Sequence, residues 1–121
     1  MPFKAGRRLM KAGRNQQVVM RLIDAVSDND KDRILSFFSD DSVYSDAKGT
    51  HIVGQEAMWN LIAGVEKNVE KVDWQLECMQ ETESGNVLTE GLVRHLIDGD
   101  WHEYPVKGSF EIRGSKITQW H

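Results

Sequence analysis

The chain has 121 residues, of which 40% are hydrophobic and 28% charged, and its formal net charge is −4 at pH 7. This length and composition predict one folded domain and exclude a disordered chain. No apolar run reaches the roughly 20 residues that span a membrane, so we expect no membrane partner. Because the sequence starts without the apolar segment of a secretory signal, we expect a cytoplasmic protein.

Positive charge is concentrated at the start of the chain. Residues 1–15 contain five basic residues and no acidic one. A basic arm can contact nucleic acid, but this one contains a single aromatic residue, Phe3. We therefore favour a solvated extension or a frayed helix start over residues 1–14, followed by one domain over residues 15–121.

Two helices are predicted next. Apolar side chains recur at helical spacing from Asn15, and the pattern ends near Asn29. Asp30 can cap a short second helix, which the polar residues 39–42 then end. A short strand over residues 43–46 and a loop over residues 49–54 follow.

A third amphipathic helix begins near Gly54. Beyond Asn68 the period changes to two, because apolar and polar residues alternate from residue 72 to residue 78, which predicts a half-buried strand. We expect the only cysteine, Cys78, to be a buried structural thiol on that strand. A single cysteine excludes an internal disulfide, and residues 84–86 predict a turn.

The dipeptide Asp98-Gly99 is a strong hairpin signal, because a type I′ turn needs positive φ at both central positions. Placing these two residues in the turn sets the strand register. The opposed pairs are then Ile97 with Asp100, His95 with His102, and Val93 with Tyr104. A second turn over residues 113–115 leads into a last strand over residues 116–120.

Opposed residues share a face of the sheet. One side then carries Val93, His95, Ile97, His102, Tyr104, Val106, Gly108, Phe110 and Ile112. The other side carries the polar residues Lys107, Ser109, Glu111 and Arg113, so the first side is predicted to face inward.

The predicted elements give an α+β fold in which helices pack on a curved antiparallel sheet. The outer face also carries large apolar groups, namely Leu88, Leu92, Leu96 and Trp101. A sheet rarely leaves such groups uncovered, so we predict a homodimer through this face.

Three segments, DDSVYSD at 40–46, GQEAMWNLIAG at 54–64 and GSFEIRGSKITQW at 108–120, resemble the nuclear-transport-factor-2-like superfamily. Within it the chain looks closest to the limonene-epoxide-hydrolase and SnoaL-like groups. The resemblance runs from about Asn15 to His121 and implies a cone-shaped fold around a pocket. The superfamily contains hydrolases, isomerases, cyclases, dehydratases and non-catalytic subunits, so the fold does not name the chemistry.

The resemblance to the epoxide hydrolases can be followed residue by residue. That family holds its water with a Tyr and an Asn two residues apart, and the matching positions here are Tyr44 and Asp46. It also carries an Arg-x-Asp pair, for which this chain has Gly91 and Val93. The acid–Arg–base relay of the epoxide hydrolases is therefore not expected here.

Tyr44 and Asp46 are the first candidate catalytic pair. A carboxylate beside apolar walls would have a raised pKa and could act as a general base, with the phenol as a donor. The alternative is that Asp46 shapes its own turn and Tyr44 belongs to the core.

His95, His102 and Tyr104 are the second candidate group. Opposed imidazoles lie about 5 Å apart at Cβ, so one of them should stay neutral near pH 7 and could serve as a base. The alternative is a pair of structural histidines at an open end of the sheet. The histidines lack metal-ligand spacing, so we expect no metal ion.

We predict an apolar pocket for a small hydrophobic ligand, and its walls should include Trp59, Ile62, Val93, Val106, Phe110 and Trp120. If the protein is catalytic, it would carry out acid–base hydrolysis, isomerisation or cyclisation without a cofactor. The alternative is a ligand-binding or dimerisation module without turnover.

Overall fold

The computed structural model describes residues 13–121 except for the side chain of Glu66, so most of the basic extension predicted over residues 1–14 lies outside the described residues. The helices are α1 (Arg14–Ser27), α2 (Lys31–Ser36) and α3 (Gln55–Ala63), and a 3₁₀ turn (Val65–Lys67) follows α3. The strands are β1 (Val43–Ser45), β2 (His51–Val53), β3 (Lys71–Glu81), β4 (Val87–Ile97), β5 (Asp100–Arg113) and β6 (Lys116–Trp120). In the described residues, no helix is both long and apolar enough to cross a membrane.

The three predicted helices are confirmed. The Asp30 side chain caps α2 by accepting a hydrogen bond from the backbone N–H of Arg33 at 3.2 Å. The predicted stop after α2 is built around the buried Ser42. Its Oγ accepts from the Ser39 N–H at 2.8 Å and donates to the Ile117 carbonyl at 2.6 Å. This second bond fastens the end of the helical region to β6.

The six strands form one sheet in the order β2-β1-β6-β5-β4-β3. The predicted antiparallel meander of β3 to β6 is confirmed, while β1 pairs with β6 in parallel. The prediction of a loop over residues 49–54 is wrong, because His51–Val53 pairs with β1 and places Ile52 opposite Tyr44. A strand of three residues is too short to show an alternating pattern in the sequence. It is recognised only by its pairing with β1.

The hairpin register that Asp98-Gly99 predicts is confirmed. Asp98 and Gly99 both have positive φ, 52° and 81°. The pairs at this end of the hairpin are His95 with His102 and Val93 with Tyr104. The face that carries these residues is the inner face, toward the helices.

A β-bulge in β3 changes the face of the only cysteine. Leu76 pairs with Gly91, but the next pair is Cys78 with Glu90, so Glu77 is an extra residue. The prediction that Cys78 is buried is therefore wrong: its side chain is exposed. An extra residue reverses the alternation beyond it.

The core lies between the helices and the inner face. It contains Val18, Val19, Leu22, Ala25, Val26, Ile34, Phe38, Met58, Ile62, Val87, Phe110, Ile112 and Ile117. These residues gather at the end of the sheet where β4 begins and β5 ends. The opposite end of the hairpin is left open, and the cavities lie toward it.

Candidate functional site

Two adjoining cavities lie on the inner face of the sheet. The first, here the narrow cavity, has a volume of about 350 Å³ and reaches Ile23, Leu76 and Phe110. The second, the wide cavity, has a volume of about 810 Å³ and reaches Ile62 and His95. They share the wall residues Tyr44, Asp46, Trp74, Val93, Val106 and Trp120. Ligand pockets typically have volumes in this range, about 300–1,000 Å³.

Trp120 is the centre of an aromatic cluster on the shared wall. Its ring centroid lies 4.8 Å from that of Tyr44 in an edge-to-face arrangement and 5.5 Å from that of Trp74. The ring of Phe110 stacks on it at 5.5 Å. The sheet creates this cluster, because Trp120 at the end of β6 pairs with Tyr44 on one side and Phe110 on the other. The cluster gives both cavities an aromatic wall.

The carboxylate of Asp46 shapes the turn between β1 and β2. Its Oδ1 accepts hydrogen bonds from the backbone N–H groups of Lys48 at 2.9 Å and Thr50 at 3.1 Å. Its Oδ2 accepts from the Tyr44 hydroxyl at 3.2 Å. The predicted pair of Tyr44 and Asp46 is therefore in direct contact, and the alternative role of Asp46 as a turn residue also holds.

These contacts reverse the predicted direction of the Asp46 pKa. Burial by itself raises the pKa of this carboxyl, as we expected. The hydrogen bonds from Thr50, Lys48 and Tyr44 outweigh burial, so the pKa of Asp46 lies below its ordinary value. Burial and the neighbouring carboxylate raise the pKa of Tyr44, which therefore keeps its proton. The site thus pairs an ionised carboxylate with a phenol that can donate.

His95 lines the wide cavity and is only 9% exposed. Its Nδ1 is buried and has no hydrogen-bond partner among the described side chains and backbone groups. Burial, followed by the positive charges of Lys67 and His102, lowers the pKa of His95. This direction favours the neutral form of His95, the state that we predicted for one imidazole of the opposed pair.

The other two members of the predicted histidine group have different positions. Tyr104 lies edge-on to His95, with ring centroids 5.4 Å apart, and lines the wide cavity although it is 41% exposed. His102 is exposed and belongs to the walls of neither of the two cavities described for residues 13–121. It lies opposite His95 in the strand pairing and contributes to the lowered pKa of that residue.

Five of the six predicted wall residues line a cavity, namely Ile62, Val93, Val106, Phe110 and Trp120. Trp59 is on the walls of neither described cavity. Its ring packs against the core, and the Lys31 ammonium lies over it at 5.4 Å. The wide cavity is also lined by Trp74, Asn60 and Lys67, which the sequence patterns did not predict as wall residues. The position of Trp74 could have been predicted, because it alternates with polar residues on β3. Lys67 lies in the 3₁₀ turn after α3, and no sequence pattern predicts that turn.

The positions that the epoxide hydrolases use for Arg and Asp are occupied differently here. Gly91 lies on the inner face beside the bulge, where a Cβ would stand 2.1 Å from the backbone oxygen of Gln75. That position has no room for a side chain, and Val93 lines both cavities as an apolar wall. Among the side chains that the structure describes, no group of His, Cys, Asp and Glu is arranged to hold a metal ion.

Comparisons with known proteins agree with the resemblance seen in the sequence. The model of the family described as SnoaL-like domain matches residues 19–120. The fold is similar to an LEH-like epoxide hydrolase of M. tuberculosis, which is 23% identical, with 86% of this chain and 77% of that chain covered and a TM-score of 0.74. A proposed SnoaL-like polyketide cyclase of Shewanella putrefaciens is 17% identical, with 99% and 85% covered and a TM-score of 0.76. A proposed polyketide cyclase of Sinorhizobium meliloti is 21% identical, with 92% and 94% covered and a TM-score of 0.71.

Proposed function

The chain belongs to the SnoaL-like domain family, and we propose that it binds a small hydrophobic molecule and transforms it by acid–base chemistry without a cofactor. The observation that carries the proposal is the hydrogen-bonded pair of Tyr44 and Asp46 on the wall shared by two cavities. At this apolar wall, the ionised carboxylate can accept a proton and the protonated phenol can donate one, which are the two roles that acid–base catalysis needs.

Asp46 is the base in this proposal, and Tyr44 is the donor. A carboxylate with a lowered pKa is a weak base, so the substrate must carry an activated proton, such as a C–H between two carbonyl groups. The Tyr44 hydroxyl would donate to the oxygen on which negative charge develops. Isomerisation and ring closure of such a carbonyl compound both begin with this proton transfer, and the similarity to proposed polyketide cyclases supports this class.

His95 is the less suitable base. To accept a proton at Nε2, its neutral ring would have to carry the other proton on Nδ1. That nitrogen has no acceptor in the part of the chain that the structure describes, and an unpaired buried donor is costly. The opposite tautomer leaves Nε2–H as a donor. Tyr104, beside it in the wide cavity, could supply a second donor.

A panel of enolisable ketones and epoxides tests the chemistry. We expect turnover of an activated ketone, and we expect Asp46→Asn to lower kcat by about 10²–10⁴, the range for a general base. Tyr44→Phe should also lower kcat, while the exposed Asp41→Asn is the matched control that should not. Equal rates in wild type and Asp46→Asn would reject the base role.

A ligand-binding module without turnover is the second candidate. The turn contacts of Asp46 favour it, because three hydrogen bonds already occupy the carboxylate. Saturable quenching of the fluorescence of Trp74 and Trp120 by ligands that are never converted would support this candidate. Turnover that depends on Asp46 would exclude it.

We also propose a homodimer through the outer face of the sheet. Leu88 and Trp101 are each 40% exposed there, and Leu92 and Leu96 lie on the same face. Covering these groups with a second copy would remove them from water. Size-exclusion chromatography with light scattering should show a dimer that Leu92→Asp dissociates. An unchanged dimer would place the contact elsewhere.

A further inference from the structure

The narrow cavity is bounded on one side by the core of the protein. Its walls there are Ile23, Leu76 and Phe110. Leu76 and Phe110 are buried, and Ile23 packs against the core cluster, so this side has little room to move. A cavity of about 150 Å³ with aliphatic and aromatic walls holds one benzene ring, so the narrow cavity, at about 350 Å³, has room for one or two fused rings.

The polar side chains around the narrow cavity, apart from the candidate catalytic pair, are bonded to neighbouring groups of the protein. The ammonium of Lys107 lies 3.2 Å from the Glu90 carboxylate. The Ser45 hydroxyl lies 3.0 Å from Nδ1 of His121. The Thr89 hydroxyl donates to a backbone carbonyl at 3.5 Å. A ligand group in this cavity therefore gains mainly apolar contact.

The wide cavity differs from the narrow one in size and in polarity. Its volume of about 810 Å³ is more than twice as large. Among the walls that it does not share, Lys48, Asn60 and Tyr104 are exposed and carry an ammonium, an amide and a phenol. These groups can donate hydrogen bonds to polar atoms of a ligand. The wide cavity therefore fits a larger group that carries polar substituents.

The candidate catalytic pair lies where the two cavities meet. Tyr44 and Asp46 line both of them, and so do the indoles of Trp74 and Trp120. A carbon atom that reacts at Asp46 therefore has cavity volume in two directions. A ligand that fills one cavity leaves the apolar walls of the other in water, and covering those walls as well adds binding free energy in proportion to their area.

We propose that the ligand is a two-armed 1,3-dicarbonyl compound that occupies both cavities at once. Its compact arm, one or two rings without polar substituents, lies in the narrow cavity, and a larger arm with polar groups lies in the wide cavity. The C–H between the two carbonyl groups then lies at the shared wall beside Asp46. This inference rests on the proposed function for the position of the reacting carbon, and it deepens that function by naming the shape of the substrate.

Two dicarbonyl probes that differ by one ring test this inference. Benzoylacetone carries one phenyl arm, and dibenzoylmethane carries two. Their dissociation constants are measured by equilibrium dialysis at pH 7.5. We expect dibenzoylmethane to bind at least about tenfold more tightly, because its second ring is buried in the second cavity.

A charge placed in the narrow cavity should remove this preference. Thr89 lines the narrow cavity and not the wide one, and Thr89→Asp changes its volume little. Burying a ring beside a carboxylate is unfavourable, so the preference should fall below about threefold. Benzoylacetone should keep its affinity, because its single ring can occupy the wide cavity. Ile23→Asp, on the helix side of the narrow cavity, is a second variant for which the same loss is expected.

Two control variants should retain the tenfold preference. Thr89→Val has the shape of Thr89→Asp without the charge. Asn60→Asp introduces the same charge on the wall of the wide cavity, where the exposed side chain keeps it in water.

The outcomes separate this inference from the proposed catalysis. Equal affinity of the wild type for the two probes, or a preference that survives Thr89→Asp and Ile23→Asp, overturns the two-armed ligand and leaves the catalytic proposal in place. Failure of both probes to bind overturns this inference and counts against the proposed pocket as well. The expected preferences without enolisation of either probe, followed by absorbance, support this inference and contradict only the proposed catalysis.

Discussion

The two ends of the β4–β5 hairpin carry the same kind of inner face but are covered differently by the helices. Val87 and Phe110, which pair with each other at the closed end, are 0% and 3% exposed. Tyr104 and Val106, further along the same face of β5, are 41% and 39% exposed. Strand pairing therefore decides which face a residue occupies, and the helices decide whether it becomes core or cavity wall. One continuous surface provides stability at one end and a site at the other.

The largest expected difference between the two ends concerns stability. Phe110→Ala should lower the free energy of unfolding by about 3–5 kcal/mol, because a buried aromatic leaves a cavity. Tyr104→Ala, on the same face of β5, should cost less than about 1 kcal/mol. Urea denaturation of both variants measures the difference. Similar losses would mean that the open end is as tightly packed as the closed end.

A substitution at the bulge, which lies between the two ends, should lower the free energy of unfolding nearly as much. Gly91→Ala places a Cβ 2.1 Å from the backbone oxygen of Gln75, and relieving that clash should cost about 3 kcal/mol. Gly99→Ala in the hairpin turn is the control. There the positive φ of 81° is unfavourable but no atom lies within 4 Å, so about 1 kcal/mol is expected. If Gly91→Ala is the milder change in urea denaturation, the bulge can open without cost.

A smaller effect is expected from His95 as the pH changes. Because burial, Lys67 and His102 place its folded pKa below 6.5, the unfolded chain binds the proton first as the pH falls below that value. The free energy of unfolding should therefore decrease with falling pH until the folded group is protonated too.

Two histidine variants test this pH dependence by denaturation between pH 5 and pH 8. His95→Gln should reduce the decrease in the free energy of unfolding as the pH falls. The opposed His102→Gln should retain most of it, because burial is the largest cause and His102 is exposed. A decrease of equal size in wild type and His95→Gln would contradict the prediction.

The smallest expected effect lies at the Asp46 turn and at lower pH. The folded pKa of Asp46 is below 3.8, so its contribution to stability is complete above the unfolded pKa and is lost as the pH falls through the folded pKa. Asp46→Asn should remove that acid-dependent loss, with the exposed Asp41→Asn as its control. Acid titration followed by circular dichroism measures both, and coinciding curves for wild type and Asp46→Asn would argue against the turn contacts.

The sequence predicted which residues lie at the candidate site better than it predicted their protonation. Tyr44, Asp46 and Trp120 could be found from the sequence because a short strand and the last strand mark their positions. The direction of the Asp46 pKa could not, because it depends on backbone N–H groups that β2 brings back to the carboxylate. Trp59 lines neither described cavity, since helical spacing gives a face of α3 but not the element that covers it.

Features that depend on local backbone preference could be read directly from the residues. Positive φ at Asp98 and Gly99 set the hairpin register, Asp30 capped α2, and alternation assigned the inner face. The bulge at Glu77, the parallel pairing of β1 with β6 and the choice of inner-face residues that line a cavity follow only from the packed fold. These features arise from contacts between segments far apart in the chain, and no single segment encodes their energies.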